Sequence, residues 1–338
     1  MTSHDVEEKR NNTTPAPAKS LGMRRKIGGL LLEYGIIVAF FVLCLVLSFA
    51  SPYFLMPKNL INVLRQVSIN GLLSIGMTFV ILTGGIDLSV GSVLAFGGIV
   101  GASFVSSSMG NVYPTPIAIL MGLLAGLGLG IVNGAFIAKW RMPPFVVTLG
   151  MLSAARGLTY IYTDGMPVPK LHESFLYIGQ GRIFGIPLPV LIFAIAFGMS
   201  WIVLYKTRFG RYVYAVGGNE KSARISGVNV RLVIFVVYAI SGFLSALGGL
   251  TLSARTSAGL PQAGLSYELD AIAAVVIGGT SLNGGQGSLV GTLFGALIIG
   301  VINNGLDLLG VSSYYQQLIK GAIIVGAVWL DSVRKGKE

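Results

Sequence analysis

Apolar and polar positions along this chain separate into long blocks. Unbroken apolar runs of helical length fall near 30–50, 67–84, 88–105, 116–138, 144–162, 186–205, 232–254, 267–283, 288–309 and 314–332. A helix crossing the hydrocarbon core needs about 20 apolar residues, with about 17 as the lower limit. The ten runs therefore predict an all-α integral membrane protein with about 10 transmembrane helices. An outer-membrane barrel would alternate apolar and polar residues in short segments, and no such pattern occurs. The pairs 67–84/88–105 and 267–283/288–309 are short and tightly joined, so each reads either as two spans or as a re-entrant hairpin.

Composition agrees with this class. Hydrophobic residues make up 53% of the chain and charged residues 11%, against about 25% charged in soluble domains. Mean hydropathy is +0.77. Glycine, at 47 of 338 residues, predicts close helix packing, because small residues let helix backbones approach in the absence of water. Residues 1–28 are polar and aperiodic and read as a disordered cytoplasmic tail ending in the basic Arg24, Arg25 and Lys26. A cleaved signal peptide is the rival reading, since Ser48-Phe49-Ala50 has the look of a cleavage site. The apolar run before it is too long for that, and an uncleaved first span is expected. Residues 29–333 then form the membrane domain and 334–338 a second tail.

The net charge of +11 does not point to nucleic acid here. With the N-terminus inside and alternating spans, the inner loops hold Lys139, Arg141, Lys206, Arg208, Arg211, Lys221, Arg224 and Arg231. The outer loops hold Lys58, Arg65, Arg255 and a mixed set in 163–185. This positive-inside bias predicts cytoplasmic N- and C-termini and an even span count.

Several chemistries are absent. No P-loop motif occurs, so the chain itself binds no nucleotide in that way. No His or Cys cluster suggests a metal, and Cys44 is the single cysteine. Gly-x-Ser motifs lack an apparent His partner. No bond chemistry and no cofactor are expected. Charges at membrane depth are few: Asp87, Arg156, Glu268, Asp270, Asp307 and Lys320. Asp87 reads as a helix N-cap for 88–105. Glu268 and Asp270 open a span from outside, where carboxylates suit a helix N-terminus or could pair with a docking partner at the periplasmic mouth. Arg156 needs a partner that the sequence does not name. With almost no buried acid, a proton- or sodium-coupled carrier is disfavoured. A neutral, hydroxyl-rich solute would need only groups such as Asn70, Thr78, Thr83, Asp87, Asn303 and Asn304 along its path, although each amide or hydroxyl serves equally as an interhelical hydrogen bond. The membrane potential does no work on a neutral solute, so accumulation would need a separate energy source.

The largest polar element is the loop 206–231. Asn219–Arg224 can form one or two helical turns, with Asn219 as cap and Gly227 as stop. It is the natural meeting place for a soluble partner, the plainer alternative being a solvated basic loop. Two glycine- and serine-rich segments echo each other, 84–92 and 278–288, as an internal repeat would.

The run Gly76–Gly91 (GMTFVILTGGIDLSVG) resembles a signature of bacterial sugar permeases of ATP-binding-cassette importers. So do Gly217–Gly227 and Tyr267–Leu282, in matching order. Asn303-Asn304-Gly305-Leu306 and Leu309–Gln316 are most similar to the ribose-carrying members. The resemblance covers about residues 30–332. It implies a type II importer-like permease fold, a homodimer with the pathway at its interface, a cytoplasmic ATPase subunit that binds the ATP, and a periplasmic sugar-binding protein. It also implies that Gly217, Gly218, Asn219, Glu220, Ala223, Arg224, Ser226 and Gly227 form the ATPase-coupling segment.

Overall fold

The computed structural model describes residues 35–110 and 112–335, which are almost entirely helical. The expected tail 1–28 lies outside the described residues, as does most of the tail 334–338. The chain order is α1 (Gly35–Ala50), α2 (Pro57–Leu82), α3 (Val90–Phe104), α4 (Thr115–Trp140), α5 (Pro144–Thr163), α6 (Glu173–Gln180), a hairpin of β1 (Arg182–Ile183) and β2 (Ile186–Pro187), α7 (Leu188–Lys206), α8 (Arg208–Gly218), α9 (Glu220–Ile225), α10 (Val230–Thr256), α11 (Tyr267–Ile277), α12 (Leu289–Leu308) and α13 (Ser313–Lys335).

A helix occupies each of the ten apolar runs. Six of them, α2, α4, α5, α7, α10 and α12, are long and apolar enough to cross a membrane. α3 has 15 residues and reaches about 22 Å at 1.5 Å per residue, short of the roughly 30 Å hydrocarbon core. α11, with 11 residues, is shorter still. The 67–84 run, by contrast, is not short. It belongs to a 26-residue helix whose first turns carry Lys58, Asn59, Asn62 and Arg65, and these polar residues hid its beginning. The helix starts follow simple local rules. Proline stands at the first or second position of α2, α4, α5 and α7, where its missing N–H is harmless.

α2 is the central helix, with 83% of its apolar window buried, against 22% for α4 and 17% for α5. α10 packs along α4, α3 and α2. The α4–α10 contact is made by backbone, because α4 carries glycine at every fourth position from Gly122 to Gly134. A Cβ on Gly126 would stand 2.7 Å from the Gly242 carbonyl, and one on Gly134 2.8 Å from that of Phe235. This is the small-residue packing that the glycine content predicts.

The helix ends meet in two groups. At one end, here the hinge end, lie the C-termini of α2, α4 and α7 together with α8 and α9. At the far end, α6 rests on the last turn of α10, with Gln180 Nε2 donating to Ser257 Oγ at 2.8 Å. Gly126→Leu should lower the melting temperature of the detergent-solubilised protein, since overpacking costs about 1–3 kcal/mol or more. Gly128→Leu, at a position with open space around it, should leave the melt unchanged.

Candidate functional site

The loop 206–231 is two helices. α8 follows α7 directly, Thr207 Oγ1 accepting the Gly210 N–H at 3.3 Å. Gly217 and Gly218 are therefore the last turn of α8. α9 begins as expected, with Asn219 Oδ1 accepting the Ser222 N–H at 2.9 Å. It stops before Gly227, whose φ of +84° suits glycine. Ala223 is the buried foot of α9, while Asn219, Glu220, Lys221, Arg224, Ser226 and Gly227 are exposed. Glu220 and Arg224 pair on the outer face of this short helix. Beside them Ile225 stands 87% exposed. The sequence reading passed over Ile225; the signal was a single large apolar residue inside a polar run.

The seat of this element is built from backbone. The two echoing segments meet here: the Gly285 N–H donates to the Leu82 carbonyl at 2.9 Å. Gly217 lies on that junction, and a Cβ there would collide with Leu82 O and stand 2.5 Å from Gly285 N. Tyr214 of α8 adds a hydrogen bond to the Gly287 carbonyl at 2.9 Å. Burial and the neighbouring Tyr205 hold the Tyr214 hydroxyl well above its ordinary range, so it stays a donor. α8 is therefore in contact with the breaks of both helix pairs together.

Next to this seat is a cavity of about 330 Å³, bordered by Thr83, Gly84, Gly85, Arg141, Arg224 and Arg231 among others. Of the residues expected to line a pathway, Thr83 faces this cavity. The remaining five are buried, and four of them, Thr78, Asp87, Asn303 and Asn304, bond to a neighbouring helix. Thr78 and Thr292 share a hydrogen bond of 2.8 Å between α2 and α12. Asn304 and Asn59 exchange amide bonds of 2.8 and 2.9 Å. Asn303 donates to Asp270 at 3.3 Å. Asn70 and Asn303 each keep a buried side-chain oxygen without a partner.

The acids correct the sequence reading. Asp87 and Asp270 are 1% and 3% exposed, so buried acids are present after all. Asp87 is not the N-cap of α3, a position held by Ser89. It sits two residues earlier and accepts from the Ser89 N–H at 3.0 Å, the Ser89 hydroxyl at 2.6 Å and the Ser241 hydroxyl at 2.8 Å. Asn133 of α4 donates to the Ser89 hydroxyl at 2.9 Å. One carboxylate thus ties the α2–α3 break to α10 and, through Ser89, to α4. Asp270 does not offer itself to a docking partner, because Lys320 of α13 pairs with it at 3.0 Å. Glu268 is half-buried and lies within electrostatic reach of Arg156. Arg156 finds its partners in the Pro261 and Ala263 carbonyls at 2.7 and 2.8 Å. Both buried acids are thus engaged by donors, and neither borders the cavity beside α9. Among the described residues no His, Cys, Asp and Glu grouping could hold a metal ion.

Residues 59–328 match the family described as "Branched-chain amino acid transport system / permease component". The chain belongs to this family of transport permeases. It is 50% identical over 305 residues to the ribose import permease protein of Bacillus subtilis (strain 168), covering 90% of this chain and 94% of that one. It is 47% identical over 311 residues to the ribose import permease protein of Haemophilus influenzae, covering 91% and 95%. An L-arabinose ABC transporter permease protein of Azospirillum brasilense is 36% identical over 329 residues, covering 96% of each chain. No solved structure matches the chain. As a permease with six helices long and apolar enough to cross, it is a multi-pass membrane protein.

Lys320→Met should destabilise the protein strongly, since stranding one partner of a buried ion pair costs about 3–5 kcal/mol. Adding Asp270→Asn should restore most of the loss. Denaturation of both variants in detergent checks this.

Proposed function

We propose that the chain is the membrane subunit of an ATP-driven importer that carries a neutral monosaccharide, ribose, by alternating access. The observation that carries the reading is α9, a capped and exposed helix with Ile225 at its tip, in a chain 47–50% identical to ribose import permeases. A helix of this kind fits a groove on a soluble ATPase, and the adjoining α8, seated on both helix breaks through Gly217 and Gly218, gives ATP-driven closure a hold on the membrane domain. The ATP belongs to that separate subunit. This chain catalyses no bond chemistry and needs no cofactor.

In this reading ten membrane segments alternate from a cytoplasmic N-terminus to a cytoplasmic C-terminus, the hinge end is cytoplasmic and the far end faces outward. The basic residues at the hinge end, Arg141, Arg208, Arg211, Lys221, Arg224 and Arg231, support that orientation. Four of the six expected pathway residues, Thr78, Asp87, Asn303 and Asn304, are engaged inside the bundle. We therefore place the path on the outside of this chain, closed by a second copy, with Thr83 near its inner exit. A soluble sugar-binding protein delivers the solute to the far end.

Proteoliposomes containing the chain, its ATPase and the sugar-binding protein should take up labelled ribose only with ATP inside the compartment that holds the ATPase. Excess unlabelled ribose should compete, and leucine should not. Uptake that persists without ATP, or competition by leucine but not by ribose, overturns the reading. Ile225→Asp and Glu220→Lys should each cut uptake about tenfold or more while the melting temperature of the isolated membrane subunit stays put.

A further inference from the structure

The far end carries a cluster of cations that the topology does not explain. Lys58 and Arg65 on the first turns of α2, Arg182 of the small hairpin and Arg255 at the end of α10 come together there. Lys58, Arg65 and Arg182 border a cavity of about 610 Å³, together with Tyr53, Asn59 and Asn62. Arg255 reaches its edge, donating to Asn62 Oδ1 at 2.9 Å, and lies within electrostatic reach of Arg65.

None of these cations has a carboxylate partner among the described residues. Among the described residues the ion pairs are Lys320–Asp270 and Arg224–Glu220, both elsewhere. Arg65 makes one long contact to the Gln180 carbonyl at 3.5 Å, and its buried Nε has no partner. Holding like charges together without a counter-ion is unfavourable, and placing them on the translocated side runs against the positive-inside bias. Such a cluster fits an anionic surface that arrives from solution.

A sugar alone is a poor match for the cavity. Asn59 is already engaged with Asn304, and Asn62 with Arg255. The groups left over are the cationic donors and a single hydroxyl, that of Tyr53, whereas a neutral sugar with several hydroxyls needs several acceptors as well. Asn59 also links the cavity inward. Its amide pair with Asn304 joins α2 to α12, and the next residue, Asn303, holds Asp270 and through it Lys320 of α13.

We propose that Lys58, Arg65, Arg182 and Arg255 form the docking surface for an acidic patch on the soluble sugar-binding partner, and that docking acts on the α2–α12 amide clasp beneath it. This rests on the importer reading above and names the surface and chemistry of one of its partners. The clasp explains how a charge contact at the rim is felt in the bundle, because Asn59 cannot shift without drawing on Asn304.

The test uses the full-length protein with its ATPase in nanodiscs and the purified ribose-binding protein of the host as probe. Wild type should bind the probe at low salt and lose affinity steeply as salt rises, because exposed charges are screened within a Debye length of about 10 Å at 0.1 M. Arg65→Glu with Arg182→Glu should weaken binding at least tenfold at low salt and flatten the salt dependence. Arg65→Gln with Arg182→Gln should show an intermediate loss, which guards against misfolding of the charge-reversed form. A glutamate-to-arginine change in the probe's acidic patch should restore binding to the charge-reversed variant. Unchanged affinity and salt slope in both folded variants overturns the docking proposal while leaving the importer reading intact. Loss of binding to phosphatidylglycerol vesicles with probe binding unchanged overturns it too, in favour of a lipid headgroup. Failure of wild type to retain the ATPase would instead strike the importer reading.

Discussion

In a hydrocarbon environment a peptide N–H or C=O without a partner costs several kcal/mol, so non-helical backbone at membrane depth survives only where protein buries and bonds it. This chain breaks its helical ladder twice, at 83–89 and at 278–288, and the rest of the architecture follows from how those breaks are satisfied. The second is bonded to the end of α2 where the first begins, through the Gly285 N–H and the Leu82 carbonyl, and both are bonded to side chains. Asp87 serves the first break by accepting the Ser89 N–H and drawing in the Ser241 hydroxyl. Ser288 serves the second by accepting the Gly291 N–H at 2.9 Å. Glycine is required where the two breaks touch α8, since a single methyl at Gly217 would drive the backbones apart.

That arrangement leaves the two ends of the molecule with different mechanical character. At the hinge end the contacts are backbone to backbone, short and insensitive to rotamer. A displacement of α8 is therefore carried into both helix pairs with little slack. At the far end backbone pairing also occurs, between Val168 and Gly259 at 2.8 and 2.9 Å, and it is joined by side-chain contacts: reciprocal amides, an ion pair and cations around an open cavity. Side-chain contacts of this kind can be exchanged one for another as a partner arrives or leaves.

Much of this was legible in the sequence. The ten apolar runs each hold a helix because apolar length is nearly sufficient to specify a helix in lipid. Asn219 and Gly227 could be read as the bounds of α9 because capping is local. What escaped was non-local or locally masked. The start of α2 was hidden by Lys58, Asn59, Asn62 and Arg65, which interrupt an apolar run without interrupting a helix. α8 was taken for loop because its sequence is punctuated by Gly210, Arg211 and Gly217. Asp87 looked like a cap beside a hinge, and nothing in its neighbours revealed that Ser241, 154 residues away, would close over it. Asp270 looked available at a helix start because its partner, Lys320, is 50 residues on.

The same non-locality bears on where a solute can pass. An amide or hydroxyl in a membrane helix reads equally well as pathway lining or as interhelical glue, and only the partner decides. Here Thr78 has Thr292, Asn304 has Asn59, and Asn303 has Asp270. A sugar moving between these helices would have to break such bonds in turn, and each broken pair would leave two buried groups unsatisfied. A sugar moving along the outside of the chain breaks none of them. α5 fits that second route, since it is the least buried of the six long apolar helices and begins at Pro144, on the border of the cavity that Thr83 faces. A polar solute cannot travel against lipid, so this route becomes usable only when another protein surface covers α5. In the proposed homodimer a second copy of the chain covers it, and the route then leaves the interhelical bonds of each copy intact.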